Sequence, residues 1–308
     1  MNILVTGGAG FIGSQIVDGL IESGHKVIVL DNLSSGSRKN VSPKATFIEG
    51  DIRHAETISS IFAAYPIDIV NHHAAQIDVR KSVSDPIADA EINIIGSLHL
   101  LEAAKTHGVK RFVFASTGGA IYGEQKYFPA DEEHPQQPIS PYGITKRSVE
   151  LYLEYFRIVH KLAYTVFRYT NVYGPRQDPK GEAGVVSIFA NAMLEHKAAT
   201  IFGTGEQTRD YVFVGDVVRA HLLLLDKASG SAIYNVSTGQ ETSVNELHTI
   251  LSALITDGKA SPLYANARKG ELDRSSCSNS KIFQDLGWQP QVQLREGLTR
   301  TVAYFSEK

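Results

Sequence analysis

The chain has 308 residues, enough for one large domain or two small ones around a sizeable core. A formal net charge of −3 with both signs interspersed leaves no basic face for nucleic acid, and the single cysteine, Cys277, excludes a disulfide framework or a thiolate metal cluster. The opening MNILVTGGAG is too short and glycine-rich for a signal segment, and no later apolar run approaches a membrane span, so a soluble, cytoplasmic protein without membrane partners is expected.

Six short apolar runs punctuate the first half: NILVT, KVIVLD, ATFIEG, IDIVNHHA, KRFVFAS and AYTVFRY. They read as strands buried on both faces. Between them lie helical patterns over Phe11–Ser23, Ala55–Ala64, Ile87–Thr106 and Tyr142–His160, with Gly24 and Gly108 placed to stop two of them. This alternation predicts an α/β fold, a doubly wound parallel sheet of Rossmann type. After Asn171 the rhythm breaks into longer loops and mixed signals, ending in the amphipathic stretch Leu294–Phe305. The expected division is a dinucleotide-binding domain over 1–170, with segments returning at about 210–237, and a smaller, discontinuous mixed α/β substrate lobe over 171–308.

VTGGAGFIGS places Gly7, Gly10 and Gly13 directly after a strand and at a helix start. Glycines there let backbone N–H groups approach a pyrophosphate at the positive end of the helix. Asp31 ends the next strand 18 residues beyond Gly13, where a carboxylate accepts from adenosine ribose hydroxyls and repels a 2′-phosphate. NAD is therefore favoured, with Arg38 and Lys39 keeping NADP open. Asp51 ends the third strand, either accepting from the adenine amino group or capping the following helix.

SPYGITKRSVELY holds Tyr142 and Lys146 four residues apart, on one face of a helix. A phenol titrates near ~10, and a general base at neutral pH needs roughly three units less, worth about 4 kcal/mol. An ammonium ~5 Å away supplies roughly 3 kcal/mol of that at an effective dielectric near 20, and a nicotinamide cation could add the rest. The pair suits removal of a sugar hydroxyl proton as hydride leaves for NAD⁺. An isolated pair of this kind would be an ordinary amphipathic helix; the upstream glycine array and the hydroxyl loop ASTGGAIYG between them favour chemistry.

With these motifs in order, and with LDNLSSG, GDI, HHAAQ, RYTNVYGPRQ, RDYVFVGDV and LGWQP beside them, nearly the whole chain resembles the NAD-dependent nucleotide-sugar epimerase/dehydratase family of extended short-chain dehydrogenases/reductases. Within it the likeness is to the 4-epimerases. The resemblance implies interconversion of UDP-glucose and UDP-galactose through a transient 4-keto sugar. It places Gly7, Gly10, Phe11, Ile12, Gly13, Asp31, Asn32, Asp51, Ile52, Ala74, Ala75, Gln76, Asn93, Ser116, Tyr142, Lys146 and Tyr169 against NAD. It places Asn171, Val185, Phe202, Arg209, Arg268 and Glu271 against the UDP half of the substrate, where two guanidiniums suit a diphosphate. The rivals are a UDP-glucuronate 4-epimerase or a 4-keto reductase on the same scaffold and, in another class, a non-catalytic NAD-sensing regulator, which has no need of Tyr142 and Lys146.

The loop at 115–123 separates reactions within the family. Related dehydratases resemble STDE or STSE here; this chain reads STGG, so Gly118 and Gly119 stand where acidic side chains would expel water. Many 4-epimerases carry a third hydroxyl at the position of Gly118, which makes Thr117 the candidate catalytic hydroxyl beside Tyr142 and Lys146, with Ser116 second. Four residues beyond the acidic end of RKGE, Ser275 matches a position near the sugar's C2 substituent, and a small residue there implies room for UDP-GlcNAc. His72 and His73 are adjacent on a strand and diverge, so no metal is expected. Family members pair through two helices; here Ile87–Thr106 and Tyr142–His160 are the candidates, the second with Val149, Tyr152, Leu153, Phe156 and Val159, and a homodimer is expected.

Overall fold

The computed structural model describes residues 1–178, 184–227, 230–268, 270 and 272–307. Each of the six apolar runs forms a strand: β1 (Asn2–Thr6), β2 (Lys26–Asp31), β3 (Thr46–Glu49), β4 (Ile69–His72), β5 (Arg111–Thr117) and β6 (Ala163–Tyr169). Helices α1 (Phe11–Glu22), α2 (Ala55–Ala64), α3 (Val79–Ser84), α4 (Pro86–Ala90), α5 (Gly96–Thr106) and α6 (Pro141–His160) fill the intervals. The helix expected over Ile87–Thr106 is interrupted: a π-helical turn, Glu91–Ile95, joins α4 to α5. Beyond β6 the chain forms β7 (Asn171–Tyr173), α7 (Val185–Leu194), β8 (Thr200–Phe202), β9 (Thr208–Arg209), β10 (Tyr211–Phe213), α8 (Val214–Lys227), β11 (Ala232–Val236), β12 (Thr242–Ser243), α9 (Val244–Ile255), β13 (Leu263–Ala265), α10 (Ser280–Leu286) and α11 (Leu294–Ser306).

Seven strands make one sheet in the order β11-β6-β5-β4-β1-β2-β3, and every pairing is parallel. Alternation along β1 explains its two covered faces. Ile3 and Val5 join Ile16, Val17 and Leu20 of α1 and Val217 and Leu224 of α8, while Leu4 joins the opposite core with residues of α2, α5 and α6. The α1–α8 contact is close enough that a Cβ on Gly19 would lie 2.7 Å from Val218. The chain winds outward from β1 in one direction and from β4 in the other. That topological switch point opens a crevice at the carboxyl ends of the strands, where ligands bind in such sheets.

Among the described residues three two-stranded ribbons lie outside the sheet: β10 with β7, β12 with β9 and β13 with β8. A third core of Phe189, Met193, Ile201, Tyr211, Phe213, Leu247, Leu251 and Leu298 supports them. The segment from α8 to β11 returns to the large sheet, whereas β10 just before it pairs with β7. Trp288 of the LGWQP motif is fully buried and donates its indole N–H to the Asp216 carbonyl at 2.9 Å. Among the described residues no helix is long and apolar enough to cross a membrane.

Candidate active site

Gly7 takes φ +69°, and a Cβ there would lie 2.6 Å from the Ala74 nitrogen; one on Gly13 would lie 2.2 Å from the Gly7 carbonyl oxygen. The turn thus holds β1, the start of α1 and the exit of β4 too close for side chains. Gly10 stands before α1 with no side-chain cap, so the first N–H groups at Phe11 and Ile12 remain for an anion. Asp31 is buried at the end of β2; its Oδ2 accepts from Ala9 N at 2.9 Å and its Oδ1 from Leu33 N at 2.8 Å. Each oxygen retains a lone pair for a ribose hydroxyl. Arg38 lies over the Phe47 ring at 4.5 Å. These features fit a dinucleotide with an unphosphorylated adenosine ribose.

Asp51 is not a helix cap, since α2 begins after His54. Its Oδ1 accepts from Arg53 N and Nε, and its Oδ2 from Arg53 Nη2 and Asn32 Nδ2. The Arg53 guanidinium holds this carboxyl well below the usual carboxylate range. With both oxygens so engaged, an adenine amino group would have to displace a donor. Ile52 is buried against Gly96, where a Cβ would lie 2.6 Å from it. Beyond β4, Ala74 N donates to Thr6 Oγ1 at 3.2 Å, and past Ala75 the Gln76 N–H and C=O pair with the Asn93 amide at 2.9 Å each.

Ser140 caps α6 by accepting from Gly143 N at 3.2 Å, with Pro141 at the first helical position. A Cβ on Gly143 would lie 2.7 Å from the Ala120 carbonyl oxygen, so this glycine lets the helix meet the 117–120 loop. One turn separates Tyr142 from Lys146. The Lys146 ammonium is buried, donates to Ala115 O at 2.8 Å, and lies 4.7 Å from the Phe114 ring centroid and 5.9 Å from that of Tyr142. Thr117 ends β5; its Oγ1 accepts from Ala120 N at 3.1 Å, which leaves its own proton to donate. Ser116 differs: its hydroxyl donates to Glu150 Oε1 at 2.7 Å. That proton is committed, which leaves Thr117 as the loop's candidate hydroxyl.

Tyr169, at the end of β6, lies 2.6 Å from His221 Nε2, and a chain continues through Asn71 to His73 with 2.9 Å links. Burial drives the His73 pKa down to about 3 and His221 well below its ordinary value, and pushes Tyr169 up. His72 turns to other partners, Thr6 Oγ1 at 2.7 Å and Ser97 Oγ at 2.9 Å, so the neighbouring imidazoles do not converge. Among the described residues no cluster of His, Cys, Asp or Glu is placed to hold a metal.

The described candidate substrate residues all follow β6 in the chain. Asn171 opens β7, its N–H donating to Asp210 O at 2.9 Å, and Val185 opens α7. Phe202 and Arg268 are brought together, the guanidinium 3.8 Å from the ring centroid. Arg209 stands on β9, opposite Thr242 of β12. Ser275 is buried beside Ser276, whose C=O accepts from Ala130 N at 3.0 Å. Glu271 lies outside the described residues.

Two buried carboxylates that bond residues of β5 or α6 were not singled out from sequence. Glu150 accepts two bonds from Arg168, at 3.0 and 2.7 Å, as well as the Ser116 hydroxyl; both ionic side chains are fully buried. Its signal was present: it stands one turn beyond Lys146 on the helix face of Tyr142. Asp89 accepts from Gln76 Nε2 at 2.9 Å, Asn93 Nδ2 at 3.0 Å and Thr145 Oγ1 at 2.9 Å, tying the β4 exit to α6. Apart from the i, i+4 step from Asp89 to Asn93, no spacing rule connects those positions.

The description NAD dependent epimerase/dehydratase family fits residues 3–237, and the chain belongs to that family. It is 44% identical to the UDP-glucose 4-epimerase of Mycolicibacterium smegmatis over 313 aligned positions, covering 100% of this chain and 99% of that protein. Its structure is similar to that of UDP-glucose 4-epimerase from Thermotoga maritima crystallised with UDP-glucose, with a TM-score of 0.97, 52% identity, and 100% and 99% of the two chains covered. The Thermus thermophilus UDP-glucose 4-epimerase in complex with NAD aligns with a TM-score of 0.93 and 44% identity over 99% of each chain.

Proposed function

We propose that the protein is an NAD-dependent 4-epimerase that interconverts UDP-glucose and UDP-galactose. One observation carries the reading: a buried ammonium, Lys146, one helical turn from the Tyr142 ring and beside a loop that offers a hydroxyl but no acid. At an effective dielectric near 20, an ammonium about 6 Å away stabilises a phenolate by about 3 kcal/mol. Tyr142 therefore serves as the base that takes the 4-OH proton, and Thr117 passes or holds that proton at the sugar. When bound, NAD accepts the C4 hydride and returns it. The crevice residues Gly7, Gly10, Gly13, Asp31, Gln76 and Asn93 hold that cofactor.

The ketone must present its other face before hydride returns, which requires a firm grip on the diphosphate and a loose one on the hexose. Arg209, Arg268 and Phe202 supply the grip from the second lobe, with Asn171, Val185 and Glu271 completing the UDP site. The 171–308 lobe, apart from the stretch that returns to the large sheet, is accordingly the nucleotide-sugar half. Small Ser275 admits a 2-acetamido group, so UDP-GlcNAc is a further substrate. With Gly118 and Gly119 in the loop, elimination of water lacks its acid. The buried Cys277 thiol suits a reducing cytoplasm.

The protein is further proposed to act as a homodimer through α6 and the neighbouring α4–α5 segment. Val149, Leu153 and Phe156 face the core, but Ile144, Leu151, Tyr152, Tyr155, Ile158 and Val159 are exposed along α6. One helix thus offers two apolar faces, one more than its own sheet covers.

The deciding experiment is a coupled assay on UDP-galactose, with and without added NAD. Epimerisation without added cofactor is expected. Reduction of a 4-keto sugar at the expense of added NADH, with no epimerisation of any UDP-hexose, would replace this reading with the reductase.

A further inference from the structure

Glu241 bridges the segments that carry Arg209 and Ser275. It directly precedes β12, whose Thr242 pairs with Arg209. Its carboxylate accepts from two separate segments: from the Thr208 hydroxyl beside Arg209 on one, and on the other from the Arg274 guanidinium in a two-pronged pair at 2.7 and 3.0 Å and the Ser276 hydroxyl at 3.3 Å. Arg274 in turn lies over the Phe128 ring at 4.0 Å, and Ser276 N donates to Gln125 Oε1 at 3.1 Å. Residues 125–128 follow directly on the Thr117 loop. Thus Ser275 is bracketed by two residues, Arg274 and Ser276, that both bond Glu241.

From this we infer that Glu241 is a positioning residue: its carboxylate locks the strand carrying Arg209 to the segment carrying Ser275, so that diphosphate grip and sugar pocket keep one relative placement. The inference rests on the UDP-sugar reading above. An ion pair this accessible, with side chains 54% and 20% exposed, adds little to folding stability. Its geometry, however, is exacting. Two prongs, two hydroxyls and one aromatic surface fix the segment's register, and a planar fork on a carboxylate is specific in direction as well as charge. Glutamine at 241 keeps the shape but turns one acceptor into a donor that faces Arg274, Thr208 or Ser276.

The test uses the full-length protein and Glu241→Gln, Arg274→Ala and the double variant. Steady-state kinetics on UDP-galactose and UDP-GalNAc are read beside calorimetric binding of UDP. Glu241→Gln should raise the KM for UDP-galactose and the Kd for UDP in parallel, by about 5- to 20-fold, with kcat within about twofold, as expected when uniform binding is lost. The ratio of UDP-GalNAc to UDP-galactose turnover should also shift. Arg274→Ala should act in the same direction, and the double variant should be no worse than the worse single one. Unchanged KM and UDP Kd in Glu241→Gln, or a fall in kcat alone, would overturn the inference. A wild type that binds UDP but epimerises no UDP-hexose would overturn the assigned reaction instead, and the Kd series would still decide the role of Glu241.

Discussion

Gly118 packs so closely on Cys277 that a Cβ added to it would lie 3.0 Å from the Cys277 Sγ, and the thiol itself approaches the Gly118 carbonyl at 3.7 Å. Residues 118 and 277 share one small volume, where Cys277 clusters with Ile121, Tyr122 and Ala130. The glycine is thus matched to a sulfur contributed by a segment far along the chain. Gly118→Ser should destabilise the protein by about 1–3 kcal/mol through overpacking. Cys277→Ala in the same chain should recover most of that loss. Denaturant midpoints of the two single variants and the double one measure the coupling, and strict additivity would show that the residues do not compete for space.

Removing the proposed base should separate chemistry from binding. Tyr142→Phe is expected to lower kcat by at least ~100-fold while UDP binds nearly as before. Thr117→Val should also slow the chemical step, whereas Ser116→Ala should act chiefly on stability because its hydroxyl serves Glu150. Near-normal turnover in Tyr142→Phe would mean that another group takes the proton.

Acid should unfold the protein through its buried imidazoles. His72, His73 and His221 all have depressed pKa values in the folded state, chiefly from burial, His73 at about 3. The unfolded chain therefore binds these protons first, near pH ~6.5, and folded stability is full above that value and declines as pH falls below it. Each histidine contributes up to about 1.4 kcal/mol per pH unit in that window. Chemical denaturation at pH 7.5 and 5.5 should show the loss, and His221→Gln should flatten the slope by one proton's share. An identical slope in that variant would remove His221 from the account.

The role proposed for Ser275 predicts the substrate range. The wild type should convert UDP-GlcNAc to UDP-GalNAc as well as act on the hexoses, and Ser275→Tyr should cut the acetamido reaction by at least ~10-fold while sparing UDP-galactose. Equal rates in both proteins, or none in either, would show that this position does not control the choice.

The exposed face of α6 predicts the oligomeric state. Sedimentation at micromolar concentration should give about twice the 33.6 kDa chain mass. Leu151→Glu with Tyr155→Glu should shift the species to a monomer. A wild-type monomer would leave that face without its proposed partner.

Much of this was legible in one dimension, because it depends on neighbours in sequence. The period of the apolar runs specified six parallel strands, and glycine spacing marked the turn into α1. The four-residue step from Tyr142 to Lys146 placed both on one helix face. Such features follow from backbone geometry, which repeats over a few residues whatever lies beyond. Local pattern could not show the interruption of the Ile87–Thr106 helix by a π turn, where Asn93 bonds Gln76. Nor could it show that α2 starts only after His54, or that Arg53 and Asn32 close on the Asp51 carboxylate.

Tertiary structure alone decided which hydroxyl of the STGG loop keeps a free proton, because the competitor for Ser116 is Glu150, 34 residues later. It alone paired Gly118 with Cys277, Phe202 with Arg268 and Glu241 with Arg274. Each of these depends on contact between segments that the sheet's crossovers and the lobe's ribbons bring together. Sequence determined which elements form and which chemistry they carry; the packing of distant segments determined which groups remain available to use it.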